Sequence, residues 1–295
     1  MLIGFAGLGR MGRPMAAHLA AAGHTVLAYD PMVAEAPASV TLVDTAGALA
    51  ATELSISMLP DGAATRALIV EGLAAVAPGH LHIVMGTVGP VIVRELAALS
   101  WVEVLDAPVS GSVSMAETAS ITTMVGATAA QFDRVRPVLA AMTAAQFHAG
   151  PAGSGSTAKL AVNAVLAGLS QAVAEGILLA EAGELDPAVF YDILSHSAAG
   201  APYVGYKRQA YLAPESTPVA APVSLIRKDL GLAMELAHRH RLHLPGALAA
   251  LTVLDDAVAD GLGPADMAQI LTALRRHNPP RTHETPSAAP TGALS

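Results

Sequence analysis

The chain has 295 residues, of which 53% are hydrophobic, and its formal net charge is -8 at pH 7. This length suffices for two domains with buried cores, and the acidic balance argues against nucleic acid or an anionic membrane as the partner. The sequence contains no cysteine, which excludes thiol catalysis, disulfides and thiolate metal sites. We therefore expect a small-molecule partner.

The first residues already have the pattern of a β-strand, which leaves no room for a secretion signal. The most apolar stretch, residues 158–182, is interrupted by Asn163, Gln171 and Glu175. Polar residues at this spacing favour a buried helix over a membrane span. We expect a cytoplasmic protein.

Short apolar runs alternate with helical patterns through the first half of the chain. The runs that we predict as strands are LIGFAG, TVLAYD, LSISMLP, LHIVMGT, VEVLDAP and ITTMVGA. The alternation predicts an α/β fold with an N-terminal Rossmann doubly wound parallel sheet covered on both faces. From about residue 155 only helical patterns continue, which predicts an all-α C-terminal domain.

These patterns divide the chain into three parts. We predict a doubly wound α/β domain over residues 1–154 and an all-α domain over residues 155–276, which begins with a long interdomain helix. Residues 277–295 are rich in Pro, Ser, Thr and Ala without periodicity and predict a disordered tail.

A glycine-rich turn follows the first strand and opens a helix, which is the context that a dinucleotide fingerprint requires. Gly7 would permit the tight turn, Gly9 would let backbone N–H groups approach the pyrophosphate, and Gly12 would let helix and strand pack closely. The pyrophosphate would face the N-terminus of the helix. An ordinary glycine turn is the alternative.

Asp30 closes the second strand at the distance expected for the acid that binds the ribose hydroxyls of NAD. A carboxylate there would repel a 2′-phosphate, and no arginine stands beside it in the sequence, so NAD is favoured and NADP is the alternative cofactor. In the competing interpretation, Asp30-Pro31 only starts a turn.

Lys159 and Asn163 stand four apart in an otherwise apolar helix and share one face. Gly153 and Gly155 precede them where the predicted domains meet, and interdomain crevices are preferred ligand sites. A partly desolvated lysine there would exchange a proton with a substrate hydroxyl while hydride moves to or from the nicotinamide. Asn163 would hold the substrate or the lysine. A snorkelling lysine is the alternative.

The segment DAPVSGS follows another strand, and Ser110 and Gly111 offer a hydroxyl and backbone N–H groups to a carboxylate; a strand-end turn is the alternative. His238, His240 and His243 do not share one helix face and have no acidic cluster beside them. We therefore predict no metal site.

Taken together, these segments resemble the β-hydroxyacid dehydrogenase family of the 6-phosphogluconate dehydrogenase superfamily, which includes 3-hydroxyisobutyrate dehydrogenases. The resemblance covers residues 1 to about 276 and rests on GFAGLGRMGRPMAAHL, MLP, DAPVSG, GSGSTAKLAVN and KDL, in the family's order. It implies a Rossmann domain, and a helical domain through which the members usually dimerise. We expect a homodimer or tetramer.

The resemblance also implies roles for single residues. Lys159 would be the general acid/base with Asn163 as its partner, and Lys228 would lie beside the cofactor or the substrate. The implied substrate ligands are Ser110, Gly111 and Ser112. The implied cofactor contacts are Gly7, Leu8, Gly9, Arg10, Met11, Gly12, Asp30, Leu59, Pro60, Thr87 and Lys228.

Several positions depart from the family's pattern. Val84-Met85-Gly86-Thr87 stands where the family usually has Asp-x-Ser-Thr and keeps only the threonine expected near the nicotinamide ribose. Ser112, Met115 and Ala119 replace glycines, and Ala221 replaces a phenylalanine ahead of KDL. Retention of Lys159 separates the chain from the related imine reductases. We expect retained cofactor chemistry with an open substrate identity.

The leading hypothesis is the reversible, NAD-dependent oxidation of a small 3-hydroxy acid to its semialdehyde or 3-oxo acid. One alternative is a reductase of a larger carbonyl or imine compound, which the small residues Gly86 and Ala221 favour. The other is a non-catalytic dinucleotide-binding protein, which the eroded Asp-x-Ser-Thr motif favours.

Overall fold

A computed structural model describes residues 1–278, which form two compact units. One unit comprises residues 1–168 and 225–251, and the other comprises residues 169–224 and the described chain from residue 252. Most of the predicted tail, from residue 279, lies outside the described residues.

The first unit is built on a sheet that has nine strands within residues 1–278. The strands are β1 (Leu2–Ala6), β2 (Thr25–Tyr29), β3 (Val40–Leu42), β4 (Leu54–Ser57), β5 (Leu81–Val84), β6 (Glu103–Asp106), β7 (Val109–Ser110), β8 (Ile121–Gly126) and β9 (Thr143–Gly150). Their order is β3-β2-β1-β4-β5-β6-β8-β7, with β9 paired to β8. The parallel order β3-β2-β1-β4-β5-β6 confirms the predicted Rossmann arrangement.

The sheet is mixed, whereas the sequence patterns predicted a parallel one. Strand β8 runs antiparallel to β6 and β7 and parallel to β9. The link from Ser110 to Ile121 is too short for the crossover of a dozen or more residues that a parallel neighbour needs. The sequence analysis missed β3, β7 and β9, since two are very short and the third lacks a clear apolar alternation.

Helices cover the sheet and form most of the second half of the described chain. They are α1 (Gly12–Ala21), α2 (Gly62–Ala67), α3 (Pro90–Ala97), α4 (Val113–Glu117), α5 (Ala129–Ala140), α6 (Ser154–Ala182), α7 (Pro187–His196), α8 (Pro202–Leu212), α9 (Val223–Arg239), α10 (Pro245–Ala259) and α11 (Ile270–His277). The helical second half agrees with the predicted fold class, and α6 begins within one residue of the position predicted for the long helix.

Two apolar clusters form the core of the first unit, one on each face of the sheet. Neighbouring residues of β1 belong to different clusters, since Phe5 packs with Met15 of α1 while Ala6 packs with Val93 of α3. Alternate residues of a strand point to opposite faces, so this split places helices on both sides of the sheet. Both faces are therefore covered, as predicted.

Helix α6 is the one helix within residues 1–278 that is long and apolar enough to cross a membrane, by length and composition alone. The core helix of a soluble protein meets the same criterion. The side chains of Asn163 and Ser170 are buried on α6 and hydrogen-bonded to other side chains.

Buried polar contacts also order the second unit. The hydroxyl groups of Tyr203 and Tyr211 bond each other at 3.1 Å, and both contact Ser170. Lys207 Nζ donates to both carboxylate oxygens of Asp266, at 2.7 and 2.8 Å. Both charges of this ion pair are buried, so its hydrogen bonds offset the loss of hydration.

A buried row of imidazole and hydroxyl groups joins β4 to β5. Ser55 Oγ lies 2.7 Å from both His80 Nε2 and His82 Nδ1, and His82 Nε2 lies 3.0 Å from Ser57 Oγ. Burial lowers the pKa of His82 to about 3, and it also lowers the pKa of His80. Both rings are therefore neutral at pH 7.

Acid should destabilise the protein through His82. The pKa of His82 is about 3 in the folded chain, whereas an unperturbed histidine has a pKa of 6.5. The stability that the neutral ring contributes is therefore fully present above pH 6.5 and is lost as the pH falls towards 3. The free energy of unfolding should drop by about 2 kcal/mol between pH 7 and pH 5 from this group alone. Urea unfolding at both pH values measures the drop. In His82→Gln, the drop in the free energy of unfolding should be smaller by about 2 kcal/mol. An equal drop in the variant and in the wild-type protein would contradict the assignment of the low pKa to His82.

Candidate active site

The glycine turn leaves no room for side chains on its protein side. Gly7 has a φ of +95°, and a side chain there would collide with the carbonyl oxygen of Met58. A side chain at Gly12 would collide with the carbonyl oxygen of Gly7, which is the close helix–strand packing that the sequence predicted. A Cβ on Gly9 would instead point into open space. That space is where an approaching ligand meets backbone rather than side chain.

The N-terminus of α1 fits an anion. Within the described chain, no side chain caps this helix at Met11, so its first N–H groups lack a side-chain acceptor. Leu8 is buried beside the turn and Arg10 is exposed on it. Together with the open face of Gly9, this arrangement fits the pyrophosphate of a dinucleotide.

Asp30 follows β2 and binds the glycine turn directly. Its Oδ2 accepts the N–H of Leu8 at 2.7 Å, and its Oδ1 accepts the N–H of Met32 at 2.9 Å. The second bond is the turn contact of the competing interpretation, while the first places the carboxylate next to the fingerprint. The geometry confirms the turn contact of Asp30, and the ribose contact stays a prediction.

The loop after β4 lies between two glycine positions. It carries Leu59, which is half-buried, and Pro60, which is exposed. A side chain on Gly86, after β5, would collide with the carbonyl oxygen of Leu59. The backbone of Leu59 therefore fills the space that a serine side chain would occupy, and Gly86 does not enlarge a pocket.

Lys228 of α9 holds two of these loops. Its Nζ donates to the carbonyl oxygens of Pro60 at 2.9 Å and of Thr87 at 2.8 Å, and it lies 3.1 Å from Oδ1 of Asp229. These contacts bring three implied cofactor residues together, although they stand far apart in the sequence.

Asn163, which lies one turn after Lys159 on α6, binds a buried acid of α9. The buried Asn163 donates through Nδ2 to Oδ2 of Asp229 at 2.7 Å. Burial lowers the pKa of Lys159; the charge of Lys228 adds to this effect, and that of Asp229 opposes it. Burial raises the pKa of Asp229 against the opposing effects of both lysines and Asn163. A lysine whose pKa is lowered from its usual range gives and takes protons more readily than an exposed lysine.

The start of α6 is fixed to the sheet by Asp106, at the end of β6. The Asp106 carboxylate accepts the N–H groups of Gly153 at 2.7 Å and of Ser156 at 2.5 Å. A side chain on Gly126 would collide with this carboxylate, and one on Gly155 would collide with the carbonyl oxygen of Met124. Burial raises the pKa of Asp106, and the N–H donors oppose the rise.

The predicted substrate residues follow Asp106 in the sequence, after β6. Ser110 pairs with Thr122 of β8, and Gly111 has a φ of +146° at an exposed bend. The hydroxyl of Ser112 caps α4 by accepting the N–H of Met115 at 3.3 Å. These residues are linked to the helix of Lys159 through the contacts of Asp106.

Three further departures from the family's pattern lie elsewhere. Val84 is fully buried in the core beside α3, and Met115 is partly exposed on α4. Ala221 lies in the second unit, where its carbonyl oxygen accepts the N–H of Met267 at 2.8 Å. Neither Val84 nor Ala221 therefore projects a polar group towards a ligand.

The sequence analysis missed Asp229 and Asp106 as site residues. Both stand inside motifs that it quoted, directly after Lys228 and at the start of DAPVSG. Their partners lie 66 residues away for Asp229 and 47 and 50 residues away for Asp106, so spacing along the chain gave no signal of the contacts.

Two family models cover almost the whole described chain. Residues 2–150 match the NAD binding domain of 6-phosphogluconate dehydrogenase, and residues 153–274 match the NAD-binding domain of NADP-dependent 3-hydroxyisobutyrate dehydrogenase. A 3-hydroxyisobutyrate dehydrogenase from Pseudomonas aeruginosa is 38% identical over 289 residues, which is 88% of this chain and 95% of that protein. The chain belongs to the 3-hydroxyisobutyrate dehydrogenase-like β-hydroxyacid dehydrogenases. It is an enzyme of the NAD(P)-dependent hydroxyacid dehydrogenase class.

Two other family members are similar over their full lengths. An NAD-dependent L-serine dehydrogenase from Pseudomonas aeruginosa is 32% identical and is matched over 91% of this chain and 96% of that protein. The structure of a Mycobacterium tuberculosis 3-hydroxyisobutyrate dehydrogenase with L-serine superposes with a TM-score of 0.84 at 32% identity. That likeness covers 93% of this chain and 99% of the other, which confirms the predicted family and fold class.

Gly86→Ala should displace the loop that carries Leu59. The added methyl group would collide with backbone, which cannot rotate away as a side chain can, so we expect the protein to lose about 1–3 kcal/mol of stability. The affinity for NADH should also fall, because Leu59 and Pro60 shift relative to the glycine turn. Urea unfolding and NADH fluorescence titration measure both effects.

Gly47→Ala is the matched control, since its nearest neighbouring atoms lie 3.9 and 4.0 Å from the added carbon. We expect this variant to keep wild-type stability and NADH affinity. Equal behaviour of the two alanine variants would show that the contact between positions 86 and 59 does not constrain the loop.

Proposed function

We propose that the enzyme oxidises a small 3-hydroxy acid to its semialdehyde or 3-oxo acid, and catalyses the reverse reduction, with Lys159 as the general acid/base. The observation that carries the proposal is the position of Lys159, whose pKa is lowered by burial beside the Asn163–Asp229 pair. The names of the similar proteins, which include 3-hydroxyisobutyrate and L-serine dehydrogenases, support a 3-hydroxy acid as the substrate.

Lys159 would act on the hydroxyl group of the substrate. In the oxidation, its neutral Nζ takes the hydroxyl proton as the carbonyl group forms; in the reduction, its ammonium returns that proton to the oxygen. A bound nicotinamide dinucleotide supplies the hydride acceptor or donor. Asn163, whose amide is fixed by Asp229, would orient Lys159 or the substrate oxygen.

Ser110 and Gly111 would hold the substrate carboxylate. Both lie at the end of β7, where the hydroxyl and the backbone N–H groups of the bend are suited to an anion. Ser112 would contribute mainly through its backbone, because its hydroxyl already caps α4.

Replacement of Lys159 tests this assignment. With wild-type protein, we expect NADH formation from NAD and a short 3-hydroxy acid, tested over 3-hydroxyisobutyrate, 3-hydroxypropionate and L-serine. The rate should rise with pH as Lys159 loses its proton, below the ordinary lysine pKa because burial lowers it. Lys159→Ala should reduce kcat by about 10²–10⁴-fold while NADH still binds.

Lys159→Arg is the matched control, since arginine keeps the positive charge but cannot deprotonate at working pH. Its kcat should be as low as that of the alanine variant. Near-wild-type turnover by either variant would remove Lys159 from the proton transfer.

We propose NAD rather than NADP as the preferred cofactor. The Asp30 carboxylate lies against the glycine turn through Leu8, so a 2′-phosphate bound at the end of β2 would meet a negative charge. Leu8, Gly9, Arg10 and Met11 would then face the dinucleotide from the turn, and Leu59, Pro60 and Thr87 from the loops after β4 and β5.

Asp30→Asn should reduce the ratio of kcat/KM for NAD to that for NADP by at least about tenfold, since it removes the repulsion of the 2′-phosphate. The asparagine retains a carbonyl oxygen for one of the two backbone N–H groups. If Asp30 serves only the turn, both kcat/KM values should fall together with an unchanged ratio.

We further propose a soluble, cytoplasmic homodimer or tetramer. Apolar side chains of α6 and α7 are exposed in the single chain; Val165 and Leu179 are 72% and 77% exposed, and Ile193 is 56% exposed. A second copy would cover such surfaces. The family models support a cofactor domain over residues 1–154 and a helical domain over residues 155–276.

A further inference from the structure

The amine of Lys228 contacts three protein groups, which are two backbone carbonyls and one carboxylate. Its Nζ binds the carbonyl oxygens of Pro60 and Thr87 and forms an ion pair with Asp229 at 3.1 Å. An ammonium group has three N–H donors, and the two carbonyl oxygens accept two of them. The two carbonyls lie 168 and 141 residues away along the chain.

Both carbonyls belong to loops that have little freedom. The loop of Pro60 passes between Gly7 and Gly86 at distances that exclude a Cβ, and Thr87 directly follows Gly86. A displacement of either carbonyl would therefore be transmitted to the glycine turn. Lys228 is the contact that joins these loops to α9.

Asp229 links Lys228 to the helix of Lys159. It accepts the amide N–H of Asn163 and is itself only 4% exposed in its side chain. Asn163 lies one turn after Lys159 on α6, so its bond to Asp229 brings this carboxylate towards the helix face that carries Lys159. Asp229 binds Asn163 through Oδ2 and faces Lys228 with Oδ1. The charges of Asp229 and Lys228 shift the pKa of Lys159 in opposite directions.

We propose that Lys228 is a positioning residue that fixes the loops of Pro60 and Thr87 to α9 and keeps Asp229 from pairing fully with Lys159. The proposal rests on the proposed role of Lys159. It gives Lys228 a function through protein groups, in addition to the cofactor contact that the family resemblance implies. Without Lys228, the Asp229 charge would act on Lys159 alone and hold it protonated.

The test compares Lys228→Met, which removes the charge and all three donors, with Lys228→Arg, which keeps the charge. Arg239→Met is the matched control, because it removes one positive charge from an exposed position of the same helix. The chain has three lysines, so NMR of protein labelled with ¹³C,¹⁵N-lysine follows the titration of each amine without cofactor or substrate. Lys159→Arg identifies the signal of Lys159.

We expect the titration of Lys159 to move to higher pH in Lys228→Met and to stay near its wild-type position in Lys228→Arg and Arg239→Met. The affinity of Lys228→Met for NADH should fall about tenfold, because two charge-assisted hydrogen bonds to the loops are lost. The thermal unfolding midpoint of each variant establishes that it is folded. Should the methionine variant not fold, Lys228→Gln, which is neutral but can still donate to one carbonyl, must show the same shift of Lys159.

An unchanged titration of Lys159 in the neutral variants, or wild-type NADH affinity in Lys228→Met, would overturn the proposal. The titration requires no turnover. If wild-type enzyme oxidises no 3-hydroxy acid while the Lys159 signal still shifts, the substrate assignment fails and the positioning role of Lys228 stands.

Discussion

The placement of α6 depends on backbone contacts that admit no side chain. Gly126 and Gly155 are in close contact at the carboxyl end of β8. The Asp106 carboxylate accepts the N–H groups of Gly153 and Ser156 at the start of the helix. A buried carboxylate is tolerated there because hydrogen bonds replace its lost hydration. Since Lys159 lies about one turn further along α6, this contact determines where its amine stands above the sheet.

The same kind of constraint operates at the predicted cofactor side. The loop of Leu59 is held between Gly7 and Gly86, and the glycine turn offers an open backbone face only at Gly9. Lys228 then ties this region to α9, where Asp229 receives Asn163. The loops of Pro60 and Thr87 and the helix of Lys159 are thereby connected through a short series of polar contacts. A reaction that moves a hydride and a proton together needs both parts held in register.

Local patterns predicted much of this arrangement, because they depend on neighbours in the chain. The glycine turn, the position of Asp30 at the end of β2 and the shared face of Lys159 and Asn163 follow from strand–turn–helix order and helical spacing. Asp229 could not be found in this way, since its partner lies on another helix. Gly86 was interpreted as added space, whereas the Leu59 backbone fills that space. The antiparallel β8 was likewise missed, because its direction follows from a connection length rather than from residue type.

A crystal structure of the enzyme with NADH and a non-reacting analogue of a short 3-hydroxy acid would test the central claim most directly. If Lys159 is the general acid/base, the analogue oxygen that matches the substrate hydroxyl should lie within about 3.2 Å of Lys159 Nζ, and the analogue carboxylate should lie at Ser110 and Gly111. Lys159 should remain beside Asp229 and Asn163. An analogue bound with this oxygen far from Lys159, and with another side chain in reach of its proton, would contradict the account.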